Sequence, residues 1–370
     1  MENQYKVIVI GSGPGGYVAA GRAAQLGMKT AIVEKAELGG VCLNWGCIPT
    51  KALLESAHAW KQVQDAKKYG LNVTGAELDF PGVIKRSRSI ADRMSKGVGF
   101  LMKNRGVDVI KGTGSISAAE EGQVTIQVEF EGETTEIIGE HVIIATGGRP
   151  MEMPGLAFDG ANVLHSTDAM SLQEKPESMI IIGAGAIGME FASFYRSIGT
   201  DVTIIEMMSQ VLPVEDADIV KELNRSLRRQ KLKVLTDTKV TGVTVEDNGV
   251  AVTAETPKGE KTIKAQKLVV AIGVRPNTSG LGLEEAGVEL DRGFVKIDGF
   301  CRTSVPSVYA IGDVAGPPLL AHKASAEALV CVDNIAGLTT EPVNKNRIPG
   351  CTYCNPQVAS VGMTEQAARD

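Results

Sequence analysis

The sequence predicts an α/β fold built from two Rossmann-like dinucleotide-binding domains of the three-layer ββα type, one inserted in the other, with antiparallel β-meanders. Three observations lead to this prediction. A unit made of strand, glycine-rich turn, helix and acidic strand end occurs twice. Each unit is followed by short alternating strands and by a buried apolar strand. The X-Pro steps at Arg149-Pro150 and Arg275-Pro276 favour extended linkers, as expected where the chain passes from one domain to the other.

The two glycine-rich units follow the same plan. The first runs from Lys6 to Glu34 and the second from Met179 to Glu206. In each, 23 positions separate the first glycine from the glutamate. A lone G-x-G-x-x-G is weak evidence, whereas two of them in strand-turn-helix context, each with an acidic residue about twenty positions on, indicate two dinucleotide sites. The glycines are Gly11, Gly13 and Gly16 in the first unit and Gly183, Gly185 and Gly188 in the second.

The elements outside these units complete both domains. Apolar periodicity predicts a long amphipathic helix after the first unit, and alternation predicts a meander in each half. In chain order, the patterns indicate a helix over 80–104, strands over 107–138 and 142–147, a helix over 216–230, strands over 234–263 and 268–273, a strand over 308–313 and a helix from about 319 to 335.

Two cysteines lie just beyond the first unit, between a glycine hinge and a helix. Cys42 and Cys47 are separated by four residues, and a helical run from Ile48 to Lys61 begins directly after the second cysteine. Such a pair can close a small disulfide ring beside a helix N-terminus, where the helix dipole favours thiolate over thiol. Lys51 follows Cys47 by one helical turn and faces the same way. An isolated pair of this spacing is more often structural, but the neighbouring dinucleotide unit favours an electron relay.

Bulk composition bounds the class of protein. With 370 residues and 43% apolar content, the chain can bury more than one core. A net charge of −6 with scattered lysines and arginines argues against a nucleic-acid surface. The first residues carry neither a basic segment nor a long apolar core, and no stretch reaches the length of a membrane span. We therefore expect a soluble, non-secreted, cytoplasmic protein.

The other four of the six cysteines fit a structural role better than a metal site. Cys301 and Cys331 have no partner nearby in the sequence, and we expect both to be core residues. Cys351 and Cys354 have C-x-x-C spacing, but no second pair completes a zinc site and no βαβ unit surrounds them. We expect no metal ion.

The combination of two dinucleotide sites and one dithiol predicts the cofactors. A nicotinamide passes a hydride, and flavin is the mediator that can pass two electrons on to a disulfide. The unit nearest the cysteines should therefore hold FAD, and the second unit should hold a nicotinamide dinucleotide. Glu206 is followed by Met207 and Met208 rather than by an arginine. Its carboxylate would accept the 2′-hydroxyl of NAD and repel the 2′-phosphate of NADP.

Several segments together resemble the pyridine nucleotide-disulfide oxidoreductase family over essentially the whole chain. They are Gly39–Leu54, Ala145–Pro150, Gly183–Glu190, Tyr309–Asp313 and Leu320–Ala324. Within the family, the Ala-His-Lys-Ala sequence of residues 321–324 is similar to the lipoamide enzymes, whereas glutathione-type reductases carry a different, proline-containing segment there. The resemblance implies oxidation of protein-bound dihydrolipoamide to lipoamide, with NAD+ reduced to NADH. Mercuric or glutathione-type reduction and a non-catalytic flavoprotein subunit are the alternatives.

The resemblance also implies a catalytic set. Cys42 would exchange with the substrate, and Cys47 would lie on the flavin and form a charge-transfer pair with it. Lys51 would bond near flavin N5 and pair with Glu190, which stands on the first turns of the helix of the second unit.

On the same basis, two sets of residues would bind the cofactors. Asp313 would take the ribityl hydroxyls, Ala321 would bond the flavin O2 edge, and His322 would pack near the flavin rather than shuttle protons. Gly114 would approach the adenine half. The FAD set is Gly11, Gly13, Gly16, Glu34, Lys35, Gly40, Val41, Cys42, Lys51, Gly114, Ala145, Thr146, Gly147, Asp313, Ala321 and His322. The NAD set is Gly183, Gly185, Ala186, Ile187, Gly188, Glu206, Val240, Ala271, Ile272 and Gly273.

The resemblance divides the chain into four parts. Residues 1–148 would be the first part of the FAD-binding domain with the redox disulfide, 149–274 the NAD-binding domain, 275–348 a central domain that completes the FAD site, and 349–370 the start of a dimer-interface domain. In the family this last domain supplies an acid-base histidine, oriented by a glutamate, that acts across a homodimer. The partner would be a lipoyl domain of a 2-oxo acid dehydrogenase or glycine-cleavage complex, with no nucleic acid and no membrane.

The sequence departs from the family pattern at its C-terminal end. The chain ends at Asp370, soon after the opening of the interface domain. His58, His141 and His165 match no motif of the acid-base histidine. We therefore expect a C-terminally truncated chain in which lipoamide turnover and dimerisation are impaired, because general acid-base catalysis typically contributes about 10²- to 10⁴-fold.

Overall fold

The computed structural model describes residues 3–370. The helices are α1 Pro14–Gln25, α2 Gly40–Asn44, α3 Cys47–Gln64, α4 Phe80–Asn104, α5 Ser166–Ala169, α6 Ala186–Ser197, α7 Ala217–Arg229, α8 Ala321–Ile335 and α9 Glu365–Arg369. Short 3₁₀ helices cover Ala66–Tyr69, Gly312–Ala315 and Lys345–Arg347.

The strands, in chain order, are β1 Gln4–Ile10, β2 Thr30–Glu34, β3 Asp108–Lys111, β4 Thr113–Glu120, β5 Gln123–Phe130, β6 Glu133–Ile144, β7 Gly148–Pro150, β8 Val163–Leu164, β9 Ser178–Ile182, β10 Asp201–Ile205, β11 Lys233–Leu235, β12 Lys239–Glu246, β13 Gly249–Thr256, β14 Gly259–Ala265, β15 Lys267–Val270, β16 Val274–Pro276, β17 Leu290–Asp291, β18 Phe294–Val295, β19 Val308–Ala310, β20 Gly350–Thr352 and β21 Val358–Ser360.

The chain divides into two compact units. Unit 1 comprises the chain up to Asn44 together with Ala91–Arg149 and Arg275–Ile348. Unit 2 comprises Trp45–Ile90, Pro150–Val274 and Pro349–Asp370. The segment 45–90 thus joins unit 2, because Leu53 and Ala57 of α3 lie in the same buried cluster as Phe191 of α6. The bounds of the four predicted domains and their nucleotide assignments stay predictions.

Unit 1 is built on one sheet with strand order β3-β2-β1-β6-β5-β4, and β19 pairs with β6. Strand β1 runs parallel to β2 and β6, and the register places Ile10 opposite Val33 and Ile144. These strands are near-continuous apolar runs, as expected for a parallel sheet covered on both faces. Helices α1 and α8 pack against each other, and α1 also packs on β1 and β2. Strand β6 links the parallel part to the antiparallel meander of β4 and β5.

Unit 2 has three layers. Its sheet is parallel throughout, with strand order β11-β10-β9-β15-β8. One face packs on the meander β12-β13-β14, where Ile180 and Ile182 join Val250 and Val252 in one buried cluster. The other face packs on helices, with Ile181 in the same cluster as Phe194 of α6 and Leu223 of α7. This arrangement confirms the predicted α/β class.

The predicted elements agree closely with those observed, with two informative differences. The helix over 80–104 has the predicted bounds, and the helix expected over 216–230 is α7, with Asp216 and Gln230 as its caps. The strands expected over 107–138 and 142–147 are not separate, because β6 runs unbroken from Glu133 to Ile144. The strand expected over 308–313 ends at Ala310, since the backbone turns into a 3₁₀ helix at Gly312, where φ is +77°. None of the described helices is long and apolar enough to cross a membrane.

Candidate active site

The first and third glycines of each unit are required by the tightness of the turn. Gly11 has φ +99°, and a Cβ on Gly16 would lie 1.9 Å from the Gly11 carbonyl oxygen. The second unit repeats the geometry, with φ +101° at Gly183 and only 2.0 Å between a Cβ on Gly188 and the Gly183 carbonyl oxygen. Any side chain at these positions would force the helix away from its strand.

The middle glycines leave open space at the start of a helix. Gly13 and Gly185 are the N-caps of α1 and α6, and a Cβ on either would meet no atom within 4 Å. A helix N-terminus presents unpaired N–H groups and the positive end of the helix dipole. An anion such as a pyrophosphate can approach the backbone at both places, so both turns fit a dinucleotide.

The two strand-end glutamates are held in the same way. In unit 1, Glu34 accepts hydrogen bonds from the backbone N–H groups of Ser12, at 2.8 Å, and Ala36, at 2.9 Å. In unit 2, Glu206 accepts from the N–H groups of Ala184, at 2.7 Å, and Met208, at 2.8 Å. A carboxylate offers about four acceptor sites, so each keeps capacity for a ribose hydroxyl.

Cys42 and Cys47 form a disulfide, as the spacing predicts. Cys42 lies in the short helix α2, and Cys47 is the first residue of the 18-residue helix α3. Both cysteines are half-buried. The Asn44 side chain inside the ring segment donates to the carbonyl oxygens of Leu38 and Gly40, each at 3.0 Å, and so fixes the loop that carries the disulfide.

Lys51 and Glu190 both contact Tyr353. The Lys51 Nζ lies 4.0 Å from the centroid of the Tyr353 ring, and the Tyr353 backbone N–H donates to Glu190 Oε1 at 2.9 Å. Burial raises the pKa of Glu190, and the Tyr353 N–H and the Lys51 charge partly offset this rise. The two side chains therefore interact electrostatically, but no ion pair within 4.0 Å joins them in the part of the chain that the structure describes. A direct pair stays a prediction.

Asp313 stands in a loop that a buried ion pair holds. Lys323 and Glu327, one turn apart on α8, have side chains exposed by 0% and 3%. The Lys323 Nζ donates to the carbonyl oxygens of Gly312, at 2.9 Å, and Gly316, at 2.8 Å, and lies 3.2 Å from Glu327 Oε2. Glu327 Oε2 accepts from the Gly312 N–H at 2.7 Å. Burial raises the pKa values of Asp313 and Glu327, and Lys323 partly offsets both increases.

Comparison with known proteins decides the family. The chain matches the family described as pyridine nucleotide-disulphide oxidoreductase over residues 5–328. The chain belongs to this family. It is similar to dihydrolipoyl dehydrogenase from Rhizobium etli, with 47% identity over 100% of this chain and 80% of that protein. It is also similar to dihydrolipoyl dehydrogenase from Chlorobaculum tepidum, with 46% identity over 99% of this chain and 77% of that protein.

A solved structure shows the same fold. LpdA from Mycobacterium tuberculosis superimposes with a TM-score of 0.92 at 28% identity, over 98% of this chain and 80% of that chain. Membership of the pyridine nucleotide-disulphide oxidoreductases confirms the predicted family and fold class. The family uses FAD and NAD(H), which confirms the cofactor prediction.

The predicted binding residues separate between the two units. The NAD set lies in unit 2, and the FAD set lies in unit 1 except for Lys51. In unit 1, Gly114 is packed in the core against Val33 and Ile10, whereas Lys35, Val41 and His322 are exposed. In unit 2, Ala186, Ile187 and Gly273 are exposed, and Val240, Ala271 and Ile272 are half-buried. Ala145 is buried, whereas Gly40, Thr146, Gly147 and Ala321 are half-buried.

Sequence reasoning missed three residues that hold the site together. Tyr353 lies between the two cysteines of the C-x-x-C segment, and its contacts with Lys51 and Glu190 have no local signature in the sequence. Lys323 and Glu327 have the spacing of an ordinary solvated helix pair. The available signal was the apolar sequence around Lys323, which places it on a buried helix face.

The histidines and the remaining cysteines take other positions. His165 caps α5, and burial lowers the pKa of His141. Cys301, Cys331, Cys351 and Cys354 are free thiols, and all but Cys351 are buried. Within residues 3–370, no group of three or more His, Cys, Asp or Glu side chains could hold a metal ion.

Proposed function

We propose that the protein oxidises dihydrolipoamide to lipoamide and reduces NAD+ to NADH, through FAD and the Cys42–Cys47 disulfide. The observation that carries the proposal is this disulfide at the start of α3, in a chain that also holds two glycine turns with matched glutamates. Relatives at 47% and 46% identity are named dihydrolipoyl dehydrogenase.

The two cysteines divide the exchange chemistry. A substrate thiolate attacks Cys42, which forms a mixed disulfide and breaks the Cys42–Cys47 bond. Cys47 leaves as a thiolate, because the dipole of the helix that it begins stabilises the negative charge. The second substrate thiol then attacks the mixed disulfide, closes lipoamide and releases Cys42 as a thiol. The substrate has lost two electrons and two protons: the cysteine pair has gained both electrons and one proton, and the other proton has passed to the solvent.

The cofactors complete the electron balance. FAD, when bound, supplies the passage of two electrons and one proton from the cysteine pair to the nicotinamide. In unit 1, the N-terminus of α1 would hold its pyrophosphate, Glu34 its ribose and Asp313 its ribityl chain. In unit 2, the N-terminus of α6 would hold the pyrophosphate of NAD, and Glu206 would hold the ribose hydroxyls.

Lys51 and Glu190 complete the catalytic set of the proposal. Lys51 stands one turn after Cys47 on α3, so its ammonium favours the thiolate form of that cysteine. Glu190 is half-buried, and the Lys51 charge acts on its carboxylate. Both residues belong to unit 2, as does Cys47.

We further propose the partner and the location of the protein. A lipoyl domain of a 2-oxo acid dehydrogenase or glycine-cleavage complex would present the dihydrolipoamide, and the working form would be a homodimer. The four free thiols favour a reducing compartment, and we place the protein in the cytoplasm.

Anaerobic titration of the FAD-loaded protein with NADH tests the proposal. We expect one equivalent of NADH to create two new thiols, which iodoacetamide labelling and mass mapping assign to Cys42 and Cys47. In Cys42→Ser the two new thiols should not form, although the FAD stays bound. Cys331→Ala is the matched control, because this thiol is buried and outside the disulfide, and it should behave as the wild type.

The substrate is tested in the same preparation. Dihydrolipoamide should reduce NAD+ to NADH in the presence of the protein, whereas glutathione disulfide and Hg²⁺ should not be reduced by NADH at a comparable rate. Flavin reduction without new thiols would contradict the proposal and favour a flavoprotein that only binds its cofactors. Preferred turnover of glutathione disulfide or Hg²⁺ would contradict the assigned substrate.

A further inference from the structure

The ring of Tyr353 covers the ammonium of Lys51. Their separation of 4.0 Å, from Nζ to ring centroid, is well within the range of a cation–π contact. Such a contact contributes about 0.5–2 kcal/mol, depending on how far it is removed from water. The position of the Lys51 charge is thus set by an aromatic face.

The backbone of the same residue holds Glu190. The Tyr353 N–H donates to Glu190 Oε1 at 2.9 Å, and this carboxylate is largely buried. A buried carboxylate without a donor would be costly, so the hydrogen bond fixes where the negative charge lies. One residue therefore contacts both members of the Lys51 and Glu190 set, with its ring on one side and its peptide on the other.

The position of Tyr353 is itself fixed by its neighbours. It follows β20, whose last residue Thr352 pairs with Val358 of β21. The next residues anchor the turn on α6: Cys354 is buried, and the Asn355 N–H donates to Ser193 Oγ at 3.1 Å. Tyr353 is therefore held by the hairpin on one side and by α6 on the other.

We propose that Tyr353 is a positioning residue that holds the Lys51 ammonium in place for Cys47, which lies one turn earlier on α3. This inference rests on the proposed function, which assigns Lys51 to the thiolate of Cys47. Without the ring, the ammonium would be free to move into solvent, and Cys47 would lose part of the positive charge that stabilises its thiolate. The titratable side chains that interact with Lys51, Tyr353 or one another here are those of Glu190, Cys351 and Cys354, and Cys47 precedes Lys51 by one turn on α3.

The test measures the thiolate of Cys47 directly rather than turnover. The protein is reduced with dithiothreitol, exchanged into buffer and labelled with iodoacetamide across a pH range, and mass mapping follows Cys47. An opposite charge close to an ionisable group shifts its pKa by on the order of one pH unit or more. We therefore expect Lys51→Met to slow the labelling of Cys47 at a fixed pH by roughly tenfold.

Two variants of Tyr353 separate the ring from the hydroxyl. Tyr353→Leu keeps the backbone N–H but removes the ring, and it should slow Cys47 labelling by roughly threefold to tenfold, toward the Lys51→Met value. Tyr353→Phe keeps the ring and should label like the wild type. Thermal midpoints of all variants check that the turn stays folded.

The outcomes are separable. A normal labelling rate in Tyr353→Leu, with a slowed rate in Lys51→Met, would overturn the positioning role alone. Equal slowing in Tyr353→Phe and Tyr353→Leu would also overturn it, because the ring would not be the cause. If Cys47 labels at the wild-type rate in Lys51→Met, both the positioning role of Tyr353 and the role of Lys51 would be overturned. The NADH titration of the disulfide stands or falls independently of all three.

Discussion

Glu190 illustrates how one half-buried carboxylate makes stability depend on pH. Burial raises its pKa above the usual value of 4.5, so the folded protein retains a proton that the unfolded chain releases. The contribution of this group to stability is fully present below pH 4.5 and is lost as the pH rises through the folded pKa.

The first prediction concerns the variant Glu190→Gln. In this variant the unfolding free energy should decrease less steeply with pH above pH 4.5 than in the wild type. The difference in slope is at most about 1.4 kcal/mol per pH unit. Thermal or denaturant unfolding of the two proteins at a series of pH values measures this difference. Glu222 is exposed on α7, so Glu222→Gln is the control. Its unfolding free energy should follow the same pH dependence as that of the wild type. Parallel curves for Glu190→Gln would contradict the prediction.

The second prediction separates two glycines of one turn. In Gly188→Ala the new methyl would lie 2.0 Å from the Gly183 carbonyl oxygen, so we expect a loss of about 1–3 kcal/mol in stability. In Gly185→Ala the methyl meets no protein atom, so stability should stay within about 0.5 kcal/mol of the wild type. The methyl occupies the space proposed for the pyrophosphate, and NADH binding should weaken at least about tenfold.

Thermal unfolding and NADH calorimetry check this pair of variants. If Gly185→Ala binds NADH as the wild type does, the dinucleotide does not approach the turn as proposed. If Gly188→Ala unfolds at the wild-type midpoint, the third glycine is not required for packing.

Sequence alone predicted the residues of the two turns and the disulfide, because each signature is local. The glycines, Glu34 and Glu206 lie within one strand-turn-helix unit. The partners of Lys51 and Glu190 could not be predicted in this way. Tyr353 is more than 160 positions from Glu190, and its contacts depend on the packing of a distant hairpin on α6.

At the scale of elements, α8 and the 3₁₀ helix Gly312–Ala315 act as one piece. The buried pair of Lys323 and Glu327 satisfies the carbonyl oxygens of Gly312 and Gly316 and the N–H of Gly312. Asp313 lies between these bonds. The loop proposed to bind the ribityl chain is therefore attached to the helix proposed to bind the flavin edge.

The third prediction is that Lys323→Met lowers stability by about 3–5 kcal/mol, because it leaves two carbonyl oxygens without their donor and the buried Glu327 carboxylate without its countercharge. The double variant Lys323→Met with Glu327→Leu should recover part of the loss. Lys96→Met, which breaks the exposed pair with Asp92 on α4, should change stability by about 0.5 kcal/mol or less.

Denaturant unfolding and FAD retention during gel filtration measure these variants. FAD should be lost from the single Lys323 variant more readily than from Lys96→Met. A Lys323→Met variant as stable as Lys96→Met would show that the buried pair does not hold the loop.

The elements themselves were predicted well where periodicity is strong, as in α4 and α7. Strand β6 was predicted as two pieces because its first half alternates and its second half is apolar. The structure shows why one strand has both patterns. Residues 133–139 pair with antiparallel β5, and residues 142–144 lie between β1 and β19. The two environments demand different patterns within one strand.

At the scale of the whole molecule, the duplicated dinucleotide unit determines the architecture. The sequence predicted two such units because their glycines and glutamates repeat at the same spacing. It could not predict that the segment 45–90 joins the second unit. That grouping depends on buried contacts of Leu53, Phe80 and Ile84 with residues more than 70 positions away.

The fourth prediction tests which unit takes which nucleotide. Hydrogen exchange of the FAD-loaded protein, with and without NAD+, should show new protection at 183–188 and around Glu206. No new protection is expected at 11–16. Saturation at about 100 times Kd would stabilise the binding unit by about 2.7 kcal/mol. Protection at 11–16 instead would reverse the assignment.

Glu206 has both a structural and a proposed cofactor-binding role, and this limits how the cofactor preference of the protein can be engineered. Its carboxylate ties down the N–H groups of Ala184 and Met208 in addition to facing the proposed ribose. Replacing it with a small or basic residue to admit a phosphorylated dinucleotide would leave both amides without an acceptor at the end of a buried strand. A successful redesign must therefore introduce a substitute acceptor for them in the same step, and single-site libraries at position 206 will mostly yield unstable proteins.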